Sequence, residues 1–582
     1  MDTHLSQFYG TNHVPSDTEL LEIERLLAPH NARLSQLEKD LEEAEANVAR
    51  LKKEREDVLR VIKPLKSLSS LIRRFPREVM ELIFMHSIPP TASRKSNLSI
   101  CHAPLVLLRV CKLWREITLT TPQLWASVEL TIPSHLCNPF GNIPDTKKQQ
   151  QMTLYLDQFD QRLELSESYP LSIIVRGSPP YDGAITLRSL ASKVAIHSCR
   201  WESIDFDISQ WLPHPFANIV AEDLPTLKYV RLRAYSLSFN EGDSLGILAA
   251  PNLKGLQIQV SHSCHGISTM PVNWTNLTHL SLDGSYMYLP DTSSQDKQLT
   301  ATEMLPVLNK CRNLRILSLL LISTHDPPLL AEPEHQVTLS KLEALNAAGS
   351  LLQIHHLLQS INTPRIRQIH YQPLHKPPLL AEEPSFSLAL VSFLERYGNQ
   401  AEVLSVNLPT VSRGDLRSWL ECTPALKQLT LGNEFQFAPL PPQILVPTDY
   451  ESGFDDFCVG LLTPKQNHPW LCPNLKIFRC SIKSHISADT ILAFLNARTD
   501  PTLVGSGGII EEVSIHQLPY DAPFGDSTDA DLEDGRLESI RQAGVRLSFK
   551  KPFYYQSNPV VPFDSSTGGY GPGYGVDFST LF

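Results

Sequence analysis

The sequence contains no CxxC pair. Its 10 cysteines lie scattered between Cys101 and Cys480, without the dense framework of a disulfide-stapled domain, so they read as reduced, buried thiols and no disulfide is expected. Basic residues are not in excess: 51 Lys and Arg against 62 Asp and Glu leave a net charge of -11. Phosphate contact needs clustered surplus Lys and Arg, so the charge balance argues against a general binder of nucleic acid or of anionic membrane, and neither is expected as a partner. No basic start followed by an apolar core opens the chain, so no secretory signal is expected. The longest apolar run, ILSLLLIS at 316–323, is far too short to span a bilayer. A cytoplasmic or nuclear location is expected.

The motifs of common chemistry are missing as well. There is no GxSxG elbow, no GxxxxGK[ST] phosphate loop and no dinucleotide fingerprint, the glycines of VGSGG at 504–508 lacking the spacing. The only close His/Cys cluster, His262, Cys264 and His265 in SHSCHG, has no second pair in register and reads as a loop. Cys472 and Cys480 flank a strand-like segment and read as small core residues. The adjacent acids Asp455-Asp456 and Glu511-Glu512 read as solvent charge. No catalytic residue, cofactor or metal is expected, and the chain reads as a non-enzyme.

What remains is a chain of 582 residues, 42% hydrophobic and 19% charged, composed like a folded protein of several units. Residues 1–15 are polar and unpatterned, and the stretch is expected to be disordered. Ser16 with Glu19 forms a capping-box signature, and heptads follow over 16–66. Leu20, Leu27, Leu34, Leu41, Val48, Arg55 and Ile62 occupy position a. Ile23, His30, Leu37, Ala44, Leu51, Val58 and Leu65 occupy position d. Pro29 interrupts the first part, so a coiled coil is expected over 30–63, ending at Pro64. A homodimer through 30–63 and a single helix folded back on its own chain both fit this pattern.

Two short apolar helices are expected next, at 76–86 and 104–118. Pro76 and Pro104 sit where the first helical residue tolerates a missing donor. Leu107, Val110, Cys111, Trp114 and Ile117 would share one face of the second helix. Lys63, Lys66, Arg73, Arg74 and Arg77 form a basic flank before the first.

Beyond about residue 170 a repeat sets the texture. The template Lxx[LIV]x[LIV] fits at Leu227–Leu232, Leu253–Ile258, Leu277–Leu282, Leu314–Leu319 and Leu426–Leu431, with looser copies starting at Leu342, Ile366, Ala401, Leu475 and Ile510. Spacings of 24 to 26 between neighbours such as 227, 253 and 277 fall in the leucine-rich-repeat range of about 20–29. The lead-ins Leu-Pro-Thr, Ala-Pro-Asn and Cys-Pro-Asn precede Leu227, Leu253 and Leu475. PPLLAE occurs at both 327–332 and 377–382. The tail 551–582, with GGYGPGYG at 568–575, is too rich in Gly, Tyr and Pro to order itself.

FPREVMELIF at 75–84, APLVLLRVCKLWREI at 103–117 and TPQLW at 121–125 together resemble an F-box domain, in the variant carried by fungal F-box-like proteins behind an N-terminal coiled coil. The family's Leu-Pro opening corresponds to Phe75-Pro76, its helix-one apolars to Val79, Ile83 and Phe84, and its Val-Cys-x-x-Trp signature to Val110, Cys111 and Trp114. The resemblance covers about 70–130. It implies a substrate receptor of an SCF-type ubiquitin ligase, in which the F-box binds a Skp-type adaptor of a cullin-based ligase and the remainder selects an unknown target protein. Phe75, Pro76, Val79, Ile83, Phe84, Val110, Cys111 and Trp114 are then the candidate adaptor-binding residues, with Phe75 and Pro76 weighed toward the interface and Val110 and Trp114 toward internal packing. The expected architecture is an α+β multidomain chain: a coiled-coil helix over 16–66, a helical F-box over 70–130, an irregular α/β leucine-rich-repeat solenoid over 150–550, and a disordered tail over 551–582. The alternative is a non-catalytic coiled-coil and leucine-rich-repeat scaffold without ligase association.

Overall fold

The computed structural model describes residues 5, 8, 10–69, 71–88, 103–131, 146–176, 192–207, 219–238, 245–283, 299–321, 336–374, 388–406, 413–432, 456–464, 470–482, 488–504, 509–517, 537–542 and 544–550. Both PPLLAE copies, most of the 87–102 connector and the tail 551–582 lie outside the described residues. The chain divides into two compact units, Met1–Ile83 and Phe84–Phe582.

The first unit is dominated by helix α1, Asp17–Leu68, 52 residues long. The Ser16 amide donates to Glu19 Oε2 at 2.8 Å and the Glu19 amide donates to Ser16 Oγ at 3.4 Å, the reciprocal capping box that the sequence signals. The expected break at Pro29 and stop at Pro64 do not occur, because α1 runs through both prolines. Each removes one backbone donor from a long, solvent-facing helix, and the turns on either side carry it across. After a short 3-10 turn at Leu71–Arg74 comes α2, Arg77–His86, and the division between the units falls within it.

In the second unit the expected helix 104–118 is two pieces. A 3-10 turn, Leu107–Arg109, is followed by extended backbone at Cys111 and then by α3, Lys112–Leu119. A spacing of i, i+3, i+4, i+7 reads as one helix when a cap interrupts it in the middle. After α3 come a turn at Pro122–Leu124, the strand β1 (Ser127–Thr131) and the helix α4 (Thr146–Leu165).

The remaining strands are β2 Leu171–Arg176, β3 Trp201–Asp207, β4 Tyr229–Ser238, β5 Gly255–His265, β6 His279–Asp283, β7 Ile316–Leu321, β8 Val337–Thr338, β9 Ala344–Ser350, β10 Ile361–Asn362, β11 Gln368–Leu374, β12 Val403–Val406, β13 Gln428–Leu431, β14 Ile477–Ile482, β15 Glu512–Gln517 and β16 Arg546–Lys550. Fourteen of the strands form one parallel sheet laid down in chain order, and β8 and β10 pair separately. Short helices or 3-10 turns return the chain between many of the strands, as parallel pairing requires. The architecture is thus a long N-terminal helix and a parallel sheet with helices, an α+β mix.

All ten template copies lie on this sheet, ending in β4–β7, β9 and β11–β15. Their three apolar positions face one way. Leu227, Val230 and Leu232 are buried in a continuous core with Leu253, Leu256, Ile258, Leu277, Leu280 and Leu282, which explains why the template demands aliphatics at those positions. The residue just before the template's first Leu also has a job where it is asparagine. Asn252 Nδ2 donates to Pro225 O at 2.7 Å, Asn276 Nδ2 to Pro251 O at 3.0 Å and Asn313 Nδ2 to Thr275 O at 2.8 Å. Each entry loop is thereby tied to the one before it.

Candidate functional site

The sequence directs attention to α2 and α3. On α2, Met80 and Phe84 form an i, i+4 pair that is 2% and 1% exposed, while Val79 and Ile83 are 38% and 39% exposed and Leu82 is 52% exposed. Phe75 is exposed at 46% and Pro76 is exposed too. Leu71 and Ile72 extend this apolar surface of the first unit toward the N-terminus. Pro76 starts the helix, its carbonyl accepting from the Met80 amide at 3.2 Å. Arg77 and Glu81 pair across one turn at 2.8 Å.

Phe84, expected on the contact surface, is turned inward: its ring lies 4.8 Å from that of Trp114, which is half-buried. Cys111 also has a structural task. It is the N-cap of α3, with φ -159° and ψ 173°, and its Sγ accepts from the Trp114 amide at 3.5 Å. The Cys-x-x-Trp spacing is therefore the spacing of an N-cap and the third helical residue, whose free amide the cap satisfies. Val110, weighed toward packing, is 55% exposed, and Val106, Leu113 and Leu119 are exposed near it in sequence.

The aromatic residue of TPQLW closes this helical segment. Trp125 is 2% exposed and its Nε1 donates to Thr118 O at 2.8 Å, while Thr121 Oγ1 donates to Ile117 O at 2.7 Å. Arg162 of α4 covers the Trp125 ring at 5.7 Å. Phe84, Leu107, Ile117, Leu124 and Trp125 are buried residues outside the core cluster of the sheet. Sequence reasoning missed Met80 as an inward anchor and Leu71, Ile72 and Leu82 as exposed apolar neighbours. The i, i+4 pairs 79/83 and 80/84 look alike in sequence, and only packing tells which pair faces solvent.

The second candidate surface is the sheet face opposite the core. Along one register row it carries Gln257, Ser281, Ser318, Asn346, His370, Ser405 and Thr430 on successive strands. The row is polar without charge, since burial pushes the His370 imidazole down to about 4. Gln257 Oε1, Asn346 Oδ1 and Thr430 Oγ1 are buried without a hydrogen-bond partner among the described residues. Two-arginine clamps bound the row. At one end Asp205 takes Arg233 at 2.9 Å and Arg231 at 3.7 Å; at the other Glu512 takes Arg479 at 2.7 Å and Arg546 at 3.1 Å.

Where the chain enters the strands, a more exposed rim of charge runs alongside. Lys228 pairs with Glu202 at 2.7 Å, Arg315 with Glu343 at 2.8 Å, Lys427 with Glu402 at 2.9 Å and Lys476 with Glu511 at 2.7 Å. The same positions form a backbone ladder, each amide donating to the carbonyl of its counterpart one strand back, as in Lys254 to Lys228 and Thr278 to Lys254, both at 2.8 Å. Pairing of opposite charges along the rim leaves no focused field of one sign there.

Cys472 and Cys480 are both 1% exposed, and burial raises the Cys472 thiol to about 11, so it is not a nucleophile at neutral pH. His262, Cys264 and His265 lie on β5 rather than in the expected loop. Among the described residues no three His, Cys, Asp or Glu side chains come together as a metal site, and no described helix is long and apolar enough to cross a membrane. Comparison with protein-family models and with curated proteins finds no match.

Proposed function

We propose that this protein is a substrate-recognition adaptor of an SCF-type ubiquitin ligase. In this reading residues 70–130 act as an F-box that binds a Skp-type adaptor, and the strand-rich region within 150–550, an irregular leucine-rich-repeat solenoid, holds a target protein for the cullin-based ligase. The chain contributes no catalytic group.

The observation that carries the reading is the split of the FPREVMELIF side chains. Met80 and Phe84 are inside, whereas Phe75, Val79, Leu82 and Ile83 stay between 38% and 52% exposed. Large apolar side chains left in water at this density mark a surface for a protein partner, and they are of the kind that anchors interfaces. Target selection falls to the more exposed charged rim, where residues differ from strand to strand while the inward ones repeat.

The test is co-purification of the full chain with a Skp-type adaptor, with Val79→Asp/Ile83→Asp as the control. The wild type is expected to retain the adaptor and the double variant to lose it; retention by neither would refute the proposal. The second reading, a coiled-coil and leucine-rich-repeat scaffold without ligase association, is favoured by the exposed apolar stripe of α1 and predicts no adaptor binding by either protein.

A further inference from the structure

Helix α1 carries an apolar stripe that is exposed along its length. The aliphatic residues at heptad positions a and d from Leu27 to Leu65 are 36% to 61% exposed, along a helix of 52 residues, which spans about 78 Å. Such a seam is stable in water when a second helix covers it. We propose that the covering helix is α1 of a second copy of this chain, running antiparallel, in the register that sets Arg55 opposite the partner's His30.

Two features select that arrangement. His30 and Arg55 are the polar residues of the seam. In this register they meet each other, and every other layer is apolar on both sides: Leu34 with the partner's Leu51, Leu37 with the partner's Val48, Leu41 with the partner's Ala44. Sliding the helices by a heptad would set His30 and Arg55 each against an aliphatic side chain, at the desolvation cost of a polar group without a partner. A parallel in-register pair would stack Arg55 on the partner's Arg55, two like charges in one layer.

The flanking charges agree. The antiparallel register brings Arg33 beside the partner's Glu54 and Asp17 beside the partner's Lys66, against one like-charged contact, Glu38 with the partner's Glu45. The parallel pair gains Arg33 with the partner's Glu38 but opposes Asp40 to the partner's Glu45 and Glu19 to the partner's Glu24. Opposite charges at these positions set coiled-coil orientation. The proposal stands independently of adaptor binding.

Sedimentation equilibrium of the full chain tests it, with circular dichroism confirming that each variant stays folded. The wild type is expected to be dimeric at micromolar concentration, and Leu34→Asp/Leu41→Asp monomeric. Arg33→Glu and Glu54→Arg should each weaken the dimer about ten-fold, since each turns two symmetry-related attractive contacts into repulsive ones. The double variant Arg33→Glu/Glu54→Arg should restore wild-type affinity. A monomeric wild type would overturn the proposal. So would a double variant as weak as Arg33→Glu alone with Glu54→Arg silent, the pattern a parallel pair gives.

Discussion

At the scale of single residues, α2 divides its apolar side chains into those that hold the fold and those that remain available, and the two sets make opposite predictions. Met80→Ala or Phe84→Ala removes a side chain that is 2% or 1% exposed and should cost about 2–5 kcal/mol. Val79→Asp and Ile83→Asp should leave the thermal unfolding midpoint nearly unchanged. Equal destabilisation by both pairs would contradict the division.

Arg498 is a buried charge held by backbone carbonyls. It is 0% exposed, and its guanidinium donates to Leu462 O, Cys472 O and Leu471 O, each at 2.9 Å, with the Trp470 ring 4.9 Å away. Burial lowers its pKa to about 10, still charged at neutral pH. Arg498→Met strands these carbonyls and should cost on the order of 3 kcal/mol in denaturant unfolding. Arg498→Lys should recover only part, because an ammonium cannot reproduce the planar fork. Full recovery by Lys would show that charge alone suffices.

Two imidazoles on the outer sheet face set a pH dependence. Burial pushes His279 down to about 4, with Arg315 adding to the effect, and His370 to about 4 by burial alone. The unfolded chain takes up protons near the ordinary imidazole value of about 6.5, so between there and about 4 it binds more protons than the folded chain. Stability is therefore full above that window and falls as the pH drops through it. His279→Gln/His370→Gln should flatten the slope of stability against pH in that range, and an unchanged slope would contradict the assignment.

At the scale of elements, the aliphatic template located ten strands because each must bury the same three positions. It passed over β3, where Trp201 and Phe206 put aromatics at two of the three corresponding inward positions, beside Ile204. It also missed β1, β2 and β16, whose runs SVELT, LSIIVR and RLSFK alternate without the leading Leu at the required offset. The helix expected over 104–118 failed for a local reason, since periodicity cannot register a cap between two helical pieces and Cys111 is such a cap. The asparagine ladder was only partly legible: Asn252 stands in a Pro-Asn lead-in, whereas Asn276 and Asn313 follow Thr275 and Arg312, and that each amide reaches back one repeat was not visible. Asn276→Ala should cost about 1 kcal/mol, read as faster hydrogen exchange in β6 and its neighbours. Unchanged exchange there would remove the ladder from the account.

At the scale of the whole molecule, the sequence marks a charged heptad helix, a short apolar motif and a repeating strand region in that order, and these become a 52-residue helix, α2 with α3, and a parallel sheet built in chain order. Which faces are open was not legible, because exposure depends on what each face packs against rather than on which residues it carries. The proposed adaptor function rests on one such face. Hydrogen–deuterium exchange of the full chain, with and without a purified Skp-type adaptor, tests it most directly. The account predicts slowed exchange in segments 71–86 and 106–119 when the adaptor is present. Unchanged exchange in both segments, or slowing confined to the strands of the sheet, would contradict it.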